Sequence, residues 1–469
     1  KDSKTASLYY PNVFTIANIN MSSSAYIEES DDARRQMQSF FAMAQLGYKE
    51  SLYLDVTARN DWSSTLAFTE RKSRGFFYPS VGLSWIIPKS FSMPSLISFG
   101  KVRASWSKVG NDIPLFVSNT VGHIAAGGIP QPNDTAPFGT LKPEMSSSFE
   151  IGTEWKFFDY RMDVDLTFYK TNTKNQLFSL PSSAGAAYKY YFVNAGNIQN
   201  MGVELTFGAV PILTNQFKWN TTLNFSRNKN EVKKLHDDLA SFIQGDEGFS
   251  SSYTMRLVEG GSFGDIYGKA FERDKYGAIV YGRDGLPQEI GSGNTAKVGN
   301  CNPAFLLGWG NSFTYKDFSF YFLIDGHFGG DVLAQTQAVL DQTGVSKVSG
   351  EARTMGYVDL EGHHIYNIKG FYEQVGGRNG VTEYYMYDAT NIRLRELSLG
   401  YTLPKRLLGR KQFLKKAELS FVARNLFFIY KKAPFDPDAV LSASNSNQGI
   451  DIFGIPTTRS VGFNVKLSF

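Results

Sequence analysis

A single cysteine, Cys301, stands in 469 residues, so an intramolecular disulfide framework and any CxxC zinc or redox motif are excluded. Five histidines leave little material for a metal cluster. No window approaches the ~20 consecutive apolar residues that a membrane-spanning helix needs. An excess of one charge is also missing. Lys plus Arg number 48 against 44 Asp plus Glu, a net of +4, which is too weak for a nucleic-acid footprint, and no nucleic-acid partner is expected. The opening Lys1-Asp2-Ser3-Lys4 is neither a start methionine nor a signal peptide, and a processed, trimmed or fragmentary chain is expected. Aromatic residues are what the sequence has in excess: 25 Tyr, 38 Phe and 6 Trp, 15% of the chain, at a mean hydropathy of −0.25. The length is about three times the ~150 residues of an ordinary domain, which leaves several domains or one large β architecture.

Period two dominates the chain. Met162, Val164, Leu166 and Phe168 alternate with Arg161, Asp163, Asp165 and Thr167. The same reading holds from Leu52 to Ala58, Val102 to Trp106, Phe149 to Trp155, Val203 to Ala209, Phe217 to Phe225, Leu419 to Ala423 and Val461 to Phe469. Each is a strand with one apolar and one polar face. One strand breaks phase between Ile392-Leu394 and Leu397-Leu399-Tyr401, which predicts a β-bulge near Arg395-Glu396. The strands match the roughly 9–11 tilted residues that cross a bilayer.

Connection lengths alternate. Short links are expected near 48–50, 87–97, 158–160, 211–214, 259–261, 316–317 and 403–415, and long ones near 20–37, 61–75, 111–146, 173–200, 229–250, 272–304, 328–390 and 431–458. Short periplasmic turns and long external loops are the habit of an outer-membrane barrel. The reading is therefore an all-β, antiparallel up-and-down transmembrane barrel with about sixteen strands over residues 1–469. The last strand ends on the periplasmic side, which puts the long loops outside. Aromatics at strand ends, such as Phe157-Phe158 with Tyr160 and Tyr315 with Phe318, suit interfacial girdles. Lys101, Arg103, Glu150, Glu154, Asp163, Asp165 and Glu204 sit mid-strand, where facing lipid would cost about 2–4 kcal/mol, so they are expected to line a wet or plugged lumen.

A series of motifs in fixed order carries a family resemblance. It contains Arg59-Asn60-Asp61-Trp62-Ser63-Ser64, Phe77-Tyr78-Pro79-Ser80-Val81-Gly82 with Trp85, and Val102-Arg103-Ala104-Ser105 leading to Gly110-Asn111. Leu141-Lys142-Pro143-Glu144, Phe149-Glu150-Ile151-Gly152, Asn194-Ala195-Gly196 and Asn200-Met201-Gly202-Val203-Glu204 follow. Asn302-Pro303, Ala389-Thr390-Asn391-Ile392-Arg393-Leu394, Tyr401, Leu403-Pro404, Arg424-Asn425-Leu426-Phe427 and terminal Phe469 complete it. The chain resembles the C-terminal barrel portion of SusC-type (SusC/RagA) TonB-dependent outer-membrane transporters of Bacteroidetes. The resemblance implies a barrel of about 22 strands, a plug, a TonB-box peptide and a SusD-like surface lipoprotein as lid. Plug, TonB box and about six early strands are not matched here, so the N-terminal plug and barrel portion of the same protein is an expected partner, beside TonB and outer-membrane lipid. Import of oligomeric nutrients, as oligosaccharide or peptide, is the implied function. The alternatives are a complete sixteen-strand passive porin and a soluble glycan-binding β protein.

No enzyme is expected, since five scattered histidines assemble no Ser/His/Asp or Cys/His constellation. Glu361-Gly362-His363-His364 lacks an HExxH frame and reads as solvated loop. Asp436-Pro437-Asp438 and Asp274-Lys275-Tyr276-Gly277 miss the calcium-loop spacing and read as turn chemistry. Gly260-Gly261 opens no phosphate cradle, and no cofactor is implied. Val332–Leu340 reads as a stiffening helical turn within the longest loop. Two aromatic clusters are the candidate contacts to substrate or lipoprotein: Tyr188, Tyr190 and Tyr191, and Tyr384, Tyr385 and Tyr387. Phe469, ending the last strand, is the assembly signal that the resemblance implies.

Overall fold

A computed structural model describes residues 34–469 apart from 68, 70–74, 116, 119–122, 126–128, 132, 137–140, 182–185, 236–239, 244–251, 292–294, 409–413 and 441–446. Thirteen strands form one antiparallel sheet. They are β1 Met37–Tyr48, β2 Leu52–Ser63, β3 Gly75–Ile86, β4 Ile97–Asn111, β5 Glu144–Phe157, β6 Met162–Pro181 and β7 Tyr190–Leu213. β8 Phe217–Lys234, β9 Phe305–Tyr315, β10 Phe318–Phe328, β11 Asn391–Thr402, β12 Lys416–Lys431 and β13 Ser460–Ser468 complete it. Every strand pairs with its neighbours in sequence, and among the described residues β1 and β13 remain free edges. The wall is up-and-down and open.

All twelve connections alternate. Those at 49–51, 87–96, 158–161, 214–216, 316–317 and 403–415 are short, and those at 64–74, 112–143, 182–189, 235–304, 329–390 and 432–459 include the long ones. Tight turns carry left-handed residues, with Lys49 and Glu50 at φ 50° and Lys316 at φ 51°. Such a backbone matches the right-handed twist of the strands it joins. The expectation of about sixteen strands counted one before residue 34, outside the described residues. It also counted two around Glu259–Gly261 that do not belong to the wall. There Tyr253–Val258 and Asp265–Gly268 lie in a separate four-stranded sheet with Ser241–Ile243 and Ala296–Asn300. Tyr253, Met255 and Leu257 do alternate, but they are buried against other loops, a face that period two alone cannot tell from a lipid face.

The predicted bulge is present. Glu396 pairs with Leu323 and Leu394 with Ile324, leaving Arg395 out of register. Outward rows of side chains run level across the wall, as in Trp219–Phe313–Phe320–Leu399–Phe421–Phe463. Phe463 is 75% exposed, and bare rings of this kind are what a hydrocarbon solvent covers.

The long connections are not simple loops. Residues from 235–304, 329–390 and 432–459 share one core of Tyr253, Ile266, Leu333, Phe371, Val375, Tyr385 and Ile450 among others. Three helices stiffen it: α1 Gln335–Gln342, α2 Lys347–Met355 and α3 Ile368–Val375. The helical turn expected over Val332–Leu340 begins only at Gln335, because Asp331–Ala334 is recruited as a strand between Met386–Asp388 and Ile450–Asp451. Three connections far apart in sequence therefore fold as one packed domain on one end of the wall.

Candidate functional site

The inward row Arg103–Gly152–Thr167–Glu204–Ser226–Leu306–His327–Asn391 is in register across eight strands. It places the polar side chains named from sequence on one face. Arg103 donates to Asp165 through Nη2 at 2.8 Å and Nη1 at 3.1 Å, and to Thr167 at 2.6 Å. Glu150 lies 3.9 Å from the same guanidinium, and Glu154 pairs with Lys156 at 3.2 Å. Tyr169 donates to Asn228 at 3.1 Å, and Asn228 and Asn230 donate to Asn200 at 3.2 and 3.0 Å. These groups are satisfied mainly by one another, which makes the wall stiff as well as polar.

Toward the end carrying the packed domain, the wall opens into a cavity of about 490 Å³ lined by Glu204, Asn224, Asp325, His327, Arg395 and Asp438 with their neighbours. Arg395, thrown out of the ladder by the bulge, donates to Asp325 at 2.8 Å through Nε and to Asn425 at 3.2 Å. Arg393 is 1% exposed. It is held by Asp438, by Thr457 at 3.1 Å and by the Phe428 ring at 4.8 Å. Asp325 Oδ1 and His327 Nε2 are buried without a hydrogen-bond partner among the described residues. Buried polar atoms seldom stay unpaired, so this cavity has an acceptor and an imidazole nitrogen to offer a polar solute. Sequence reasoning missed Asp438, read as turn chemistry. Its neighbour Asp436 does make the turn, accepting from the Asp438 and Thr457 amides at 3.1 Å each, while Asp438 reaches the arginines. The bulge at Arg395 was the available signal.

The motif residues tie the wall to its connections. Asp61 accepts from Arg59 at 2.7 Å and from the Tyr78 hydroxyl. Asp112 accepts from Ser63 and Thr65 and pairs with Arg35 at 3.1 Å. Asn194 accepts from the Lys142 amide at 2.6 Å and donates back to its carbonyl at 2.8 Å.

The two tyrosine clusters separate. Tyr190 is 45% exposed, and Tyr188 and Tyr191 are also exposed, at the tip joining β6 to β7. Tyr385 is 1% exposed and donates to Asp341 at 3.0 Å. Tyr384 stacks edge-on against Phe371 and Tyr387 against Phe435. Burial pushes the Tyr384 and Tyr385 hydroxyls well above the usual range, and the Asp341 charge adds to it. Burial also raises the Asp341 carboxyl, against the pull of Ser346, Tyr385 and Gln337. The second cluster is thus part of the packed core. Phe469 follows β13 at the short-turn end and is 61% exposed.

Two of the loop motifs lie at turns. Glu361 and Gly362 turn a hairpin at φ 52° and 85°, and Glu361 binds Arg273 at 2.8 Å. His363 and His364 stack on Tyr281 and Tyr357. Asp274 accepts from the Tyr276 and Ala278 amides at 2.8 and 3.0 Å, which is turn chemistry.

A family model described as "TonB dependent receptor-like, beta-barrel" matches residues 3–284. TonB-dependent receptor P3 of Formosa agariphila is 26% identical over 96% of this chain and 47% of its own length. TonB-dependent receptor SusC of Bacteroides thetaiotaomicron is 22% identical over 95% of this chain and 46% of its own. The chain spans about half the length of the curated relatives it matches. The RagAB peptide importer in its closed-closed state superposes with a TM-score of 0.76 at 18% identity, over 98% of this chain and 50% of that one, a likeness of fold. Motifs, wall and match agree: the chain belongs to the TonB dependent receptor-like β-barrel family of outer-membrane proteins and resembles its SusC type.

Proposed function

We propose that the protein imports oligomeric nutrients, glycans or peptides, across the outer membrane, driven through TonB and capped by a SusD-like surface lipoprotein. The observation that carries this reading is the polar cavity at Asp325, His327 and Arg395, set in the inward face beneath a packed domain. A solute entering there would exchange water for the open Asp325 Oδ1 and His327 Nε2 positions on a rigid wall. Tyr188, Tyr190 and Tyr191 are the aromatic surface offered to substrate or lipoprotein. Tyr384, Tyr385 and Tyr387 support capture indirectly, by holding the domain together.

The edges of β1 and β13, free among the described residues, would each cost several kcal/mol per unpaired backbone group in lipid. Further strands and a plug of the same protein, as the resemblance implies, would close the wall. Phe469 then serves as the assembly signal, and its deletion should leave the protein in the periplasm. A sixteen-strand passive porin is not favoured, because the described wall has thirteen strands and does not close. The test is growth of a strain lacking the gene on a panel of purified oligosaccharides and oligopeptides, with their monomers as controls. Loss of growth on one oligomer class with monomers unaffected supports the reading. Unchanged growth on every oligomer contradicts it.

A further inference from the structure

The short connection between β11 and β12 has a composition unlike any other stretch of the chain. Residues 403–417 carry six basic side chains, Lys405, Arg406, Arg410, Lys411, Lys415 and Lys416, and no acidic one. Apolar residues are interleaved: Leu407, Leu408, Phe413 and Leu414. Arg406, Leu407 and Lys415 are exposed. A polybasic segment beside a membrane attracts anionic lipid by about fivefold per charge. Its described residues, 403–408 and 414–417, lie at the short-turn end of the wall, where the Lys415 amide donates to the Ser468 carbonyl at 2.7 Å, and Arg406 and Lys415 form the basic rim.

Directly above this rim, on the outward face, is an apolar groove of about 400 Å³. Phe313, Tyr315, Phe318, Leu399, Tyr401 and Phe421 line it. Its origin is in the register. Two outward rows, Trp219–Phe313–Phe320–Leu399–Phe421–Phe463 and Phe217–Tyr315–Phe318–Tyr401–Leu419–Val465, are aromatic except at a few aliphatic positions. Leu399 between Phe320 and Phe421 leaves the upper row recessed. Lys316, exposed in the adjoining turn with its Nζ 5.4 Å from the Tyr315 ring centroid, puts a third cation at the lower lip.

We propose that this groove and basic rim form a binding site for one anionic phospholipid of the periplasmic leaflet. The acyl chain lies along the recess at Leu399, and the phosphate meets Lys316, Arg406 and Lys415. A zwitterionic lipid fits the groove equally well but gains little from the rim, because its net charge is zero. Charge complementarity therefore selects the occupant, and the groove fixes where it sits. The site is on the outer wall, away from the lumen, and does not depend on what the protein transports.

The test is native mass spectrometry of the full-length protein in mild detergent, titrated with phosphatidylglycerol or with phosphatidylcholine of the same acyl chains. The unmodified protein should bind phosphatidylglycerol about a hundredfold more tightly, at about fivefold for each of the three charges. A Lys316→Gln, Arg406→Gln, Lys415→Gln variant should lose about a hundredfold for phosphatidylglycerol, at about fivefold per charge, and keep its phosphatidylcholine affinity. Leu399→Trp, which fills the recess, should weaken both lipids alike. Equal affinity of the unmodified protein for the two lipids overturns the proposal, whatever the variants do. So does an unchanged phosphatidylglycerol affinity in the triple variant.

Discussion

Arg103 on β4 crosses the bare backbone of Gly152 on β5 to grip Asp165 on β6, Nη2 to Oδ1 at 2.8 Å. A Cβ on Gly152 would stand 2.7 Å from the guanidinium carbon. Tyr169 does the same over Gly202, whose added Cβ would meet the ring at 2.5 Å, and reaches Asn228 at 3.1 Å. Glycine in the middle strand lets a long side chain brace its two neighbours, which stiffens a wall that is one sheet thick among the described residues.

Gly152→Val should displace Arg103 and cost ~1–3 kcal/mol through overpacking. The midpoint of heat-induced loss of the folded gel band reads it. Adding Arg103→Ala should recover much of the loss, because the clash partner is gone. Equal losses in the single and double variants would count against the brace.

Asp438→Ala should be among the most damaging single changes, at ~3–5 kcal/mol, because it strips the buried Arg393 of its carboxylate. Protease digestion of the external domain in intact cells should rise with it. Arg393→Met together with Asp438→Leu should be milder than Asp438→Ala alone, since no lone charge stays buried.

The tyrosine clusters should diverge under substitution. Tyr385→Ala should cost about 3–5 kcal/mol, as for other large buried rings, and lower surface yield. Replacing Tyr188, Tyr190 and Tyr191 with Ala should change stability by only ~0.5 kcal/mol per site while weakening lipoprotein co-purification or uptake. Normal capture by that stable variant would remove these residues from the contact surface.

Acid should loosen the domain at Arg273. This guanidinium binds Glu361 and Glu383, each at 2.8 Å, and its hydrogen bond holds the Glu361 carboxyl below the usual range. A carboxylate with a lowered folded pKa adds stability above its unfolded value, ~4.3, and loses it as pH falls through the folded value. The contribution is at most ~1 kcal/mol for so exposed a pair. Arg273→Ala should raise protease sensitivity of the domain at pH 7, and the difference from the parent should shrink as pH falls below ~4.3 and vanish only below the lowered folded value of Glu361.

The wall was legible in the sequence because two signals agreed: strict alternation within strands and alternating connection lengths between them. The bulge at Arg395 was legible from a single phase break. Family motifs located Gly152 and Gly202, but only the geometry gives their purpose. The packed domain was not legible. Its strands are two to six residues long, too short for periodicity to accumulate, and its core draws on segments up to about two hundred residues apart, such as Tyr253 and Ile450. For the same reason Tyr385 read as a loop aromatic although tertiary packing buries it, and Asp438 read as a turn because its partner lies 45 residues away.

The central claim, an outer-membrane wall with the packed domain outside, is tested most directly by labelling single cysteines with a membrane-impermeant maleimide in intact cells, in a Cys301→Ser background. Tyr276 is 83% exposed in the packed domain, and Lys316 is exposed in a short turn. Tyr276→Cys should label in intact cells, and Lys316→Cys only after the outer membrane is permeabilised. Labelling of Lys316→Cys in intact cells, with Tyr276→Cys protected until permeabilisation, would contradict the account.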